Sequence, residues 1–268
     1  MTRFRIALLF ALAASASSLS ASQRADAVTA GRRSSLIIPV AGSAEGAFGT
    51  FWRTDLSVIN YRDVEQPILI AYSSSGTFFY GFELYAHVVL PAHSTTTYED
   101  VVSTLFQKNG LGVIYINPTD DIYFDPAADL DATYRIWTDQ PGKTGTMSQA
   151  SSALHALELP TGTQTRVITG ARQDANFRCN VGVALNAYGS RSFRITASSA
   201  SGSVTTTLLV QGDNMAQVAL PPGNLGYMTV TVEPLDVADS EVWTAYASSI
   251  DNVSGDAWLQ NAEPKAKQ

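Results

Sequence analysis

Residues 36–60 read LIIPVAGSAEGAFGTFWRTDLSVIN, and residues 166–186 read RVITGARQDANFRCNVGVALN. The second stretch repeats the order of features in the first. Each starts with an apolar run, passes through small and polar residues, and resumes with an aromatic residue and Arg before an apolar segment that ends in Asn. Short runs rich in β-branched and aromatic residues, separated by turn-forming residues, are typical of strands. The two stretches therefore predict the same two-strand unit twice in one chain.

Further landmarks recur in the same order in both halves. Each half continues into a small-residue turn, a Trp-containing segment and a hairpin partner, which are residues 72–76, 134–139 and 146–153 in the first half and 198–202, 241–246 and 256–260 in the second. We interpret the halves as two homologous modules, 36–158 and 164–262, joined by 159–163. Each has the size of an immunoglobulin-like β-sandwich. One large barrel built from both halves is the alternative geometry.

Local patterns predict the class of each element. Phe193, Ile195 and Ala197 alternate with polar residues, which indicates an antiparallel strand with one face in water. An apolar stripe within residues 101–106, preceded by Thr97 as a candidate cap, predicts one short helix. The predicted fold class is therefore all-β, with two tandem immunoglobulin-like antiparallel sandwiches and one short helix in the first.

Composition and charge exclude several classes of protein. The 268 residues are 45% apolar and 15% charged, and the net charge is −7. A disordered polar chain would have fewer apolar residues, and a nucleic-acid-binding domain would carry the opposite sign of charge. The single cysteine, Cys179, excludes a disulfide scaffold. We expect its thiol to be buried and inert.

The first 27 residues have the features of a signal peptide. Arg3 and Arg5 precede an apolar run, and small residues with A-x-A patterns follow. Cleavage by residue 27 removes three arginines and one aspartate, which changes the net charge from −7 to −9. No later segment reaches the roughly 18 apolar residues of a transmembrane helix. We therefore expect an exported protein, periplasmic or extracellular, in which residues 263–268 form a disordered tail.

Both modules contain four consecutive residues of the same kinds: an aromatic residue, then Arg, then Thr or Cys, then Asp or Asn. With this pattern the chain resembles a group of uncharacterised secreted bacterial proteins with tandem immunoglobulin-like β-sandwich modules. The segment AYASSIDN at residues 245–252, followed by Gly255 and Asp256, is similar to the signature that ends their modules, and YEDVV at residues 98–102 also fits. The resemblance covers nearly all of the mature chain. It implies the fold and export, and it implies no catalytic residues.

The repeated motif is predicted to be structural. Its members are Trp52, Arg53, Asp55 and Asn60 in the first module and Phe177, Arg178, Asn180 and Asn186 in the second. The Arg and the residue two positions later project from one face of a strand, so they can pair with each other or bond loop carbonyls. An Asn at a strand end starts a turn through its side chain. A duplicated binding site is the alternative.

An acidic stretch between two predicted strands is the candidate metal site. Its five carboxylates lie within twelve residues and belong to Asp120, Asp121, Asp125, Asp129 and Asp131. Carboxylate oxygens are the ligands that Ca²⁺ prefers, although the spacing does not match an EF-hand. A solvated acidic loop is the alternative, and no cofactor other than calcium is predicted.

A dense aromatic run, FFYGFELY at residues 78–85, is the candidate binding surface. If one face of this segment is exposed, Tyr80, Phe82 and Tyr85 can stack on sugar rings or on a partner protein. Packing of one face into the core and of the other between the modules is the alternative.

These features favour an exported, non-enzymatic protein that binds an unknown protein or glycan at the cell envelope, through loops or an exposed sheet edge. A pair of carbohydrate-binding modules that uses the aromatic face is the second hypothesis, and a secreted hydrolase with an unrecognised site is the third. The sequence contains no G-x-S-x-G, HExxH or Walker A motif. We therefore predict no catalytic residues and no nucleic-acid partner.

Overall fold

The computed structural model describes residues 35–76, 84–119 and 125–265, which form β-strands and one short helix. The elements of the first half are β1 (Leu36–Glu45), β2 (Phe51–Asn60), β3 (Gln66–Ser74), β4 (Leu84–Leu90), β5 (Ser94–Tyr98), α1 (Val101–Phe106), β6 (Gly110–Pro118), β7 (Leu130–Asp139), β8 (Thr146–Ser152) and β9 (Leu154–His155). The elements of the second half are β10 (Arg166–Gln173), β11 (Phe177–Asn186), β12 (Arg191–Ser199), β13 (Gly202–Val210), β14 (Asn214–Ala219), β15 (Gly226–Pro234), β16 (Val242–Asp251), β17 (Ala257–Asn261) and β18 (Glu263–Pro264).

Both halves arrange their strands in the same order. In the described part of the first half, the strand rows β4-β3-β6-β1-β9 and β5-β2-β7-β8 form the two layers, and pairing of β1 with β2 makes them one nine-stranded sheet. The second half has β13-β12-β15-β10-β18 and β14-β11-β16-β17. Each strand of the first half thus has a counterpart at the same place in the second. The prediction of an all-β fold with two antiparallel sandwiches is confirmed, and the single large barrel is not formed.

The first strand of each sandwich bends at the same place. The register against the partner strand shifts next to Pro39 in β1 and at Gly170 in β10. Pro39 has no N–H for the ladder, and Gly170 has a φ of +76°, so both sequences carry a residue that favours a β-bulge. Beyond the bend, Ala44 leaves β6 and pairs with β2 in the other layer. This pairing joins the described strands of the first half into one nine-stranded sheet, whereas the second half, with the same bulge, has a separate five-stranded and a separate four-stranded sheet.

The apolar cores follow the predicted alternation. In β12, Phe193, Ile195 and Ala197 are fully buried, while Arg194 and Ser198 are exposed. Buried residues at every second position place one face of the strand on the core. The period of two in the sequence therefore identified both the element and its inner face.

The short helix exists, but its predicted cap is wrong. Thr97 lies in β5, where its backbone pairs with Ser57 of β2, and the helix begins only after Asp100, which adopts a left-handed conformation with φ of 43°. Gln107, also left-handed, follows the last helical residue. The Thr97 hydroxyl bonds the Ser57 hydroxyl at 2.9 Å, and Thr97 lies four residues before the first helical residue, so it does not cap the helix.

The connection between the halves is held against the second sandwich. Gly162 donates its N–H to the Asp239 carbonyl and accepts a bond of 2.6 Å from the Trp243 indole. A Cβ on Gly162 would lie 2.0 Å from the Ala238 carbonyl oxygen, so this close approach requires glycine. At the other end of the module, the first two residues of the predicted disordered tail, Glu263–Pro264, instead form β18, which pairs with β10.

The two sandwiches share an apolar joint. The β14-β11-β16-β17 sheet packs its outer face on the first sandwich, and Ala184, Met215 and Tyr246 are part of the first sandwich's buried core. Strand β16 is consequently buried on both faces. The Tyr115 hydroxyl donates to the Leu185 carbonyl across the joint at 3.0 Å, inside the buried region. Apolar burial and a buried hydrogen bond therefore fix the orientation of the two modules.

Candidate binding cleft between the modules

The predicted aromatic surface is described in part, because Tyr80 and Phe82 lie outside the described residues. Tyr85 lies on β4, at the edge of its sheet, and is 64% exposed. Its ring contacts the edge of His87, with centroids 5.8 Å apart. Val89, two residues further on, is 56% exposed. Tyr85, His87 and Val89 share one face of the strand, and we call them the β4 row.

The described residues of the acidic stretch make contacts with neighbouring residues of the first module. The Asp125 carboxylate accepts a bond of 2.7 Å from Arg62 and another from the Ala127 N–H. Its burial disfavours the charged form, but these bonds outweigh that cost and lower the pKa of Asp125. Asp131 lies 3.7 Å from His155.

Among residues 35–76, 84–119 and 125–265, no three His, Cys, Asp or Glu side chains are grouped to hold a metal. Asp129 is also described, whereas Asp120 and Asp121 lie outside the described residues. The calcium site therefore stays a prediction.

The two charged residues of the first motif, Arg53 and Asp55, make contacts within that module. The Arg53 guanidinium lies 5.0 Å from the ring centres of Phe51 and Trp137 and 3.3 Å from the Asp139 carboxylate. Asp55 accepts the N–H of Asp100, which places the start of α1. All of these partners belong to the first sandwich or its loops.

Asn60 organises the turn after β2. It is fully buried, and its amide nitrogen donates to the carbonyls of Val64 and Pro91. Its side-chain oxygen accepts the N–H of Arg62 two residues later. This is the geometry expected of an Asn that starts a turn. The equivalent Asn186 ends β11 and pairs with Val242.

The motif of the second module faces the joint. Arg178 donates to the Asn252 side chain at 2.9 Å, and burial lowers its pKa. Phe177 packs edge-on against Trp258 and lies under the Arg172 guanidinium. Asn180 and Arg178 both line a cavity between the modules. The second motif therefore reaches the boundary between the sandwiches.

The cavity has a volume of about 260 Å³ and lies between β1, β2 and β8 of the first sandwich and β11, β14 and β16 of the second. Trp52 forms part of its wall, and a Cβ on Gly46 would lie 2.5 Å from the indole nitrogen, so the chain before β2 wraps closely around this ring. Three amide side chains, Gln149, Asn180 and Gln217, also line it. Small-molecule sites have this composition of apolar walls and a few polar groups.

Two of the amides are oriented by the joint itself. Tyr246 donates its hydroxyl to the Gln217 side-chain oxygen at 2.9 Å, and Ser248 donates to the Gln149 side-chain oxygen at 3.3 Å. Each bond occupies the oxygen and leaves the amide nitrogen as a donor for another molecule. Burial raises the pKa of Tyr246 far above its usual range, so this hydroxyl remains a donor at neutral pH.

A second cavity of about 180 Å³ adjoins the first and shares Ala47, Trp52 and Arg178 with it. Lys143, from the loop between β7 and β8, also lines this cavity. None of its described lining residues is acidic. We call the two cavities together the intermodule cleft. The larger cavity has both polar and apolar walls, and the smaller cavity is basic.

Sequence reasoning missed this cleft. It singled out Trp52, Arg178 and Asn180 as structural motif residues but gave no sign that Gln149, Gln217 and Tyr246 would meet them. These six residues belong to two modules and to β2, β8, β11, β14 and β16. The one available signal was the apolar run in β16, which lacks a polar outer face and so indicates burial on both sides.

No protein-family model matches the chain, and no curated protein matches it significantly. Among solved structures, one mutant of the major pilin from Streptococcus pyogenes is 12% identical, with a TM-score of 0.21, over 88% of this chain and 94% of the pilin chain. A second mutant of the same pilin is 13% identical, with a TM-score of 0.20, over 86% and 92% of the two chains. TM-scores this low carry no functional inference. Within the described ranges, no helix has the length and apolar character needed to cross a membrane.

Proposed function

We propose that this chain is an exported, non-enzymatic protein that binds a partner protein at the cell envelope through the edge strand β4. The β4 row is the observation that carries this proposal. Tyr85 and Val89 are each more than half exposed on a single strand face, although apolar side chains normally leave water when a sheet packs. The leader-like residues 1–27 support export.

The chemistry of β4 supports partner binding at this edge. The strand is LYAHVVL, with neither the Pro nor the Lys that commonly protects an exposed edge. It pairs with β3 on one side, and no described strand pairs with its other side. An extended segment of a partner adds to such an edge through main-chain hydrogen bonds, while side chains like Tyr85 provide specificity.

The single cysteine and the two charged residues of the first motif support a non-enzymatic role. Burial raises the pKa of the Cys179 thiol to about 11, so the thiol stays protonated at neutral pH and is a poor nucleophile. Arg53 and Asp55, the charged members of the first motif, are engaged in structural contacts.

Site-specific photo-crosslinking in intact cells tests this proposal. A photoreactive phenylalanine replaces Tyr85 on β4 in the test variant. In the matched control it replaces Thr205, an exposed residue on β13, which is an edge strand of the other sandwich. We expect an envelope-fraction adduct with one protein from position 85 and none from position 205. Recovery of the chain in the cytoplasmic fraction, or the same adducts from both positions, would contradict the proposal.

Glycan binding is the second candidate function, and the intermodule cleft is the observation that favours it. The apolar face of a sugar ring packs well on an aromatic side chain such as Trp52. Gln149 and Gln217 supply amide donors for the hydroxyl groups at the ring edge. Binding of any defined oligosaccharide that Trp52→Phe weakens would support this function.

A further inference from the structure

We propose that the intermodule cleft binds an acidic glycan, in which a sugar ring lies against Trp52 and a uronic-acid carboxylate lies between Lys143 and Arg178. The inference rests on the second candidate function, because it assigns a ligand class to the same cleft. It differs from the predicted aromatic surface in both the residues and the charge of the ligand.

The charge of the cleft is opposite to that of the protein. The chain has a net charge of −7, yet the smaller cavity is lined by Lys143 and Arg178 and by no described acidic residue. An anion is therefore attracted to this half of the cleft, although the protein as a whole is negatively charged. An arginine that is partly withdrawn from water gains more from a carboxylate than an exposed one does.

The larger cavity suits the uncharged part of such a ligand. Its carboxylate, Glu45, is exposed and can accept hydrogen bonds from hydroxyl groups. The amide nitrogens of Gln149 and Gln217 are donors, because their oxygens are occupied by Ser248 and Tyr246. A sugar ring presents many hydroxyl groups that act both as donors and as acceptors, which matches this mixed set.

Trp52 connects the two halves of the cleft. Its side chain lines both cavities, together with Arg178 and Ala47. A ring against the indole therefore borders the larger cavity, which the glutamine amides line, and the smaller cavity, which Lys143 lines, while Arg178 lines both. An acidic peptide would satisfy the cations, but it does not combine a flat C–H face with a hydroxyl-rich edge. We therefore favour a sugar.

Calorimetric titration of the whole mature chain tests the proposal with three probes of known structure. The probes are a hexamer of galacturonic acid, a neutral hexamer of galactose and a hexamer of glutamate. We expect the acidic sugar to bind about tenfold more tightly than each of the other two, which corresponds to about 1.4 kcal/mol. Its affinity should fall as NaCl rises from about 50 mM to about 500 mM.

Two cleft variants and one control assign the binding to this place. We expect Lys143→Gln to weaken binding of the acidic sugar about threefold and Arg178→Gln about tenfold or more, because the arginine is more buried. Lys265→Gln removes one exposed lysine outside the cleft and should leave the affinity unchanged. Folding of each variant is checked by its thermal unfolding midpoint, and Lys143, in an exposed loop, provides a variant that should fold normally.

The possible outcomes separate the ligand class from the function. Equal affinity for the neutral and acidic sugars, with a loss in Trp52→Phe, would overturn the acidic specificity and leave glycan binding standing. Equal affinity for the glutamate hexamer and the acidic sugar would show that charge alone is recognised, which also overturns the proposal. Binding to no sugar would reject both the proposal and the glycan function.

Discussion

The arginine of the repeated motif serves different purposes in the two modules. In the first, Arg53 lies over two rings of its own sandwich and pairs with Asp139. In the second, Arg178 bonds a loop amide and lines the intermodule cleft. The sheet order around the two motifs is the same. The comparison teaches that the same strand order can place equivalent arginines in different surroundings.

A difference in register accompanies this change. Arg53 pairs with Trp137 in β7, whereas Arg178 pairs with Ile250 in β16. The tryptophan of β16, Trp243, pairs with Leu185 near the opposite end of β11. The Arg178 side chain reaches the Asn252 side chain.

The largest expected effect concerns two glycines that lie under aromatic rings, Gly112 under Tyr72 and Gly182 under Tyr246. An added Cβ would lie 2.3 Å from the Ser73 carbonyl oxygen in the first and 2.2 Å from the Tyr246 ring in the second. We expect Gly112→Ala and Gly182→Ala each to lower the free energy of unfolding by about 2–3 kcal/mol, measured by urea denaturation.

The two glycine variants differ in where they loosen the protein. Hydrogen exchange should speed up within β3 and β6 for Gly112→Ala, but across the joint, in β11 and β16, for Gly182→Ala. The same exchange pattern in both variants would contradict the assignment of Tyr72 to one sandwich and of Tyr246 to the joint.

The next effect compares two hydroxyl groups that hold the first strand of each sandwich. Thr54 bonds both the N–H and the carbonyl of Gly42, while in the second module Ser249 accepts the N–H of Arg172. Each substitution leaves a buried or partly buried backbone group without its hydrogen-bond partner. We therefore expect Thr54→Val to lower the free energy of unfolding by about 1–3 kcal/mol, and Ser249→Ala to lower it by an amount at the low end of that range. Thr97→Val, at an exposed hydroxyl, is the control and should stay within about 0.5 kcal/mol in urea denaturation.

A smaller effect comes from Arg166, which stands where the first module has Leu36. Arg166 is fully buried, its guanidinium lies 3.8 Å from the Trp243 ring centre, and burial lowers its pKa to about 9. Since the unfolded chain binds this proton more tightly than the folded one, the charge opposes folding at pH 7, and stability rises as pH increases past about 9. We expect Arg166→Leu to be more stable than the natural chain by about 1 kcal/mol at pH 7, because the cation–π contact offsets part of the gain.

Urea denaturation at pH 7 and at pH 10 checks this expectation. The advantage of Arg166→Leu should be smaller at the higher pH. A variant that is less stable at pH 7 by 2 kcal/mol or more would show that the buried guanidinium is a net stabilising group.

The smallest expected effect is at Arg53. Its partner Asp139 is 72% exposed at the side chain, so water screens the pair. We expect Arg53→Gln to change the free energy of unfolding by less than about 1 kcal/mol, measured in the same denaturation series. A larger loss would mean that the contacts with Phe51 and Trp137 hold the edge of the sandwich together.

The sequence predicted the parts of the fold that depend on local pattern. The alternation around Ile195 identified a strand and its buried face, and the apolar stripe at 101–106 identified the helix. Thr97 was misassigned as a cap because a cap signal and an edge strand rich in threonine look alike until β2 is placed beside it. The two tryptophans used as landmarks also differ in position, since Trp137 pairs with Arg53 and Trp243 pairs with Leu185.

The intermodule cleft depends on contacts that no local pattern carries. Trp52 and Gln217 belong to different sandwiches, and only the packing of β11 and β16 on the first sandwich brings them together. A hydrogen bond such as that between Tyr246 and Gln217 orients the amide, and spacing along the chain gives no sign of it.

The central claim is that the Arg53 side chain supports its own sandwich while the equivalent Arg178 forms part of a ligand site. Titration of the galacturonic acid hexamer into Arg53→Gln and Arg178→Gln tests it most directly, because the two variants remove the same charge from corresponding positions. The account predicts an unchanged dissociation constant for Arg53→Gln and an increase of about tenfold or more for Arg178→Gln. Equal dissociation constants for the two folded variants would contradict it.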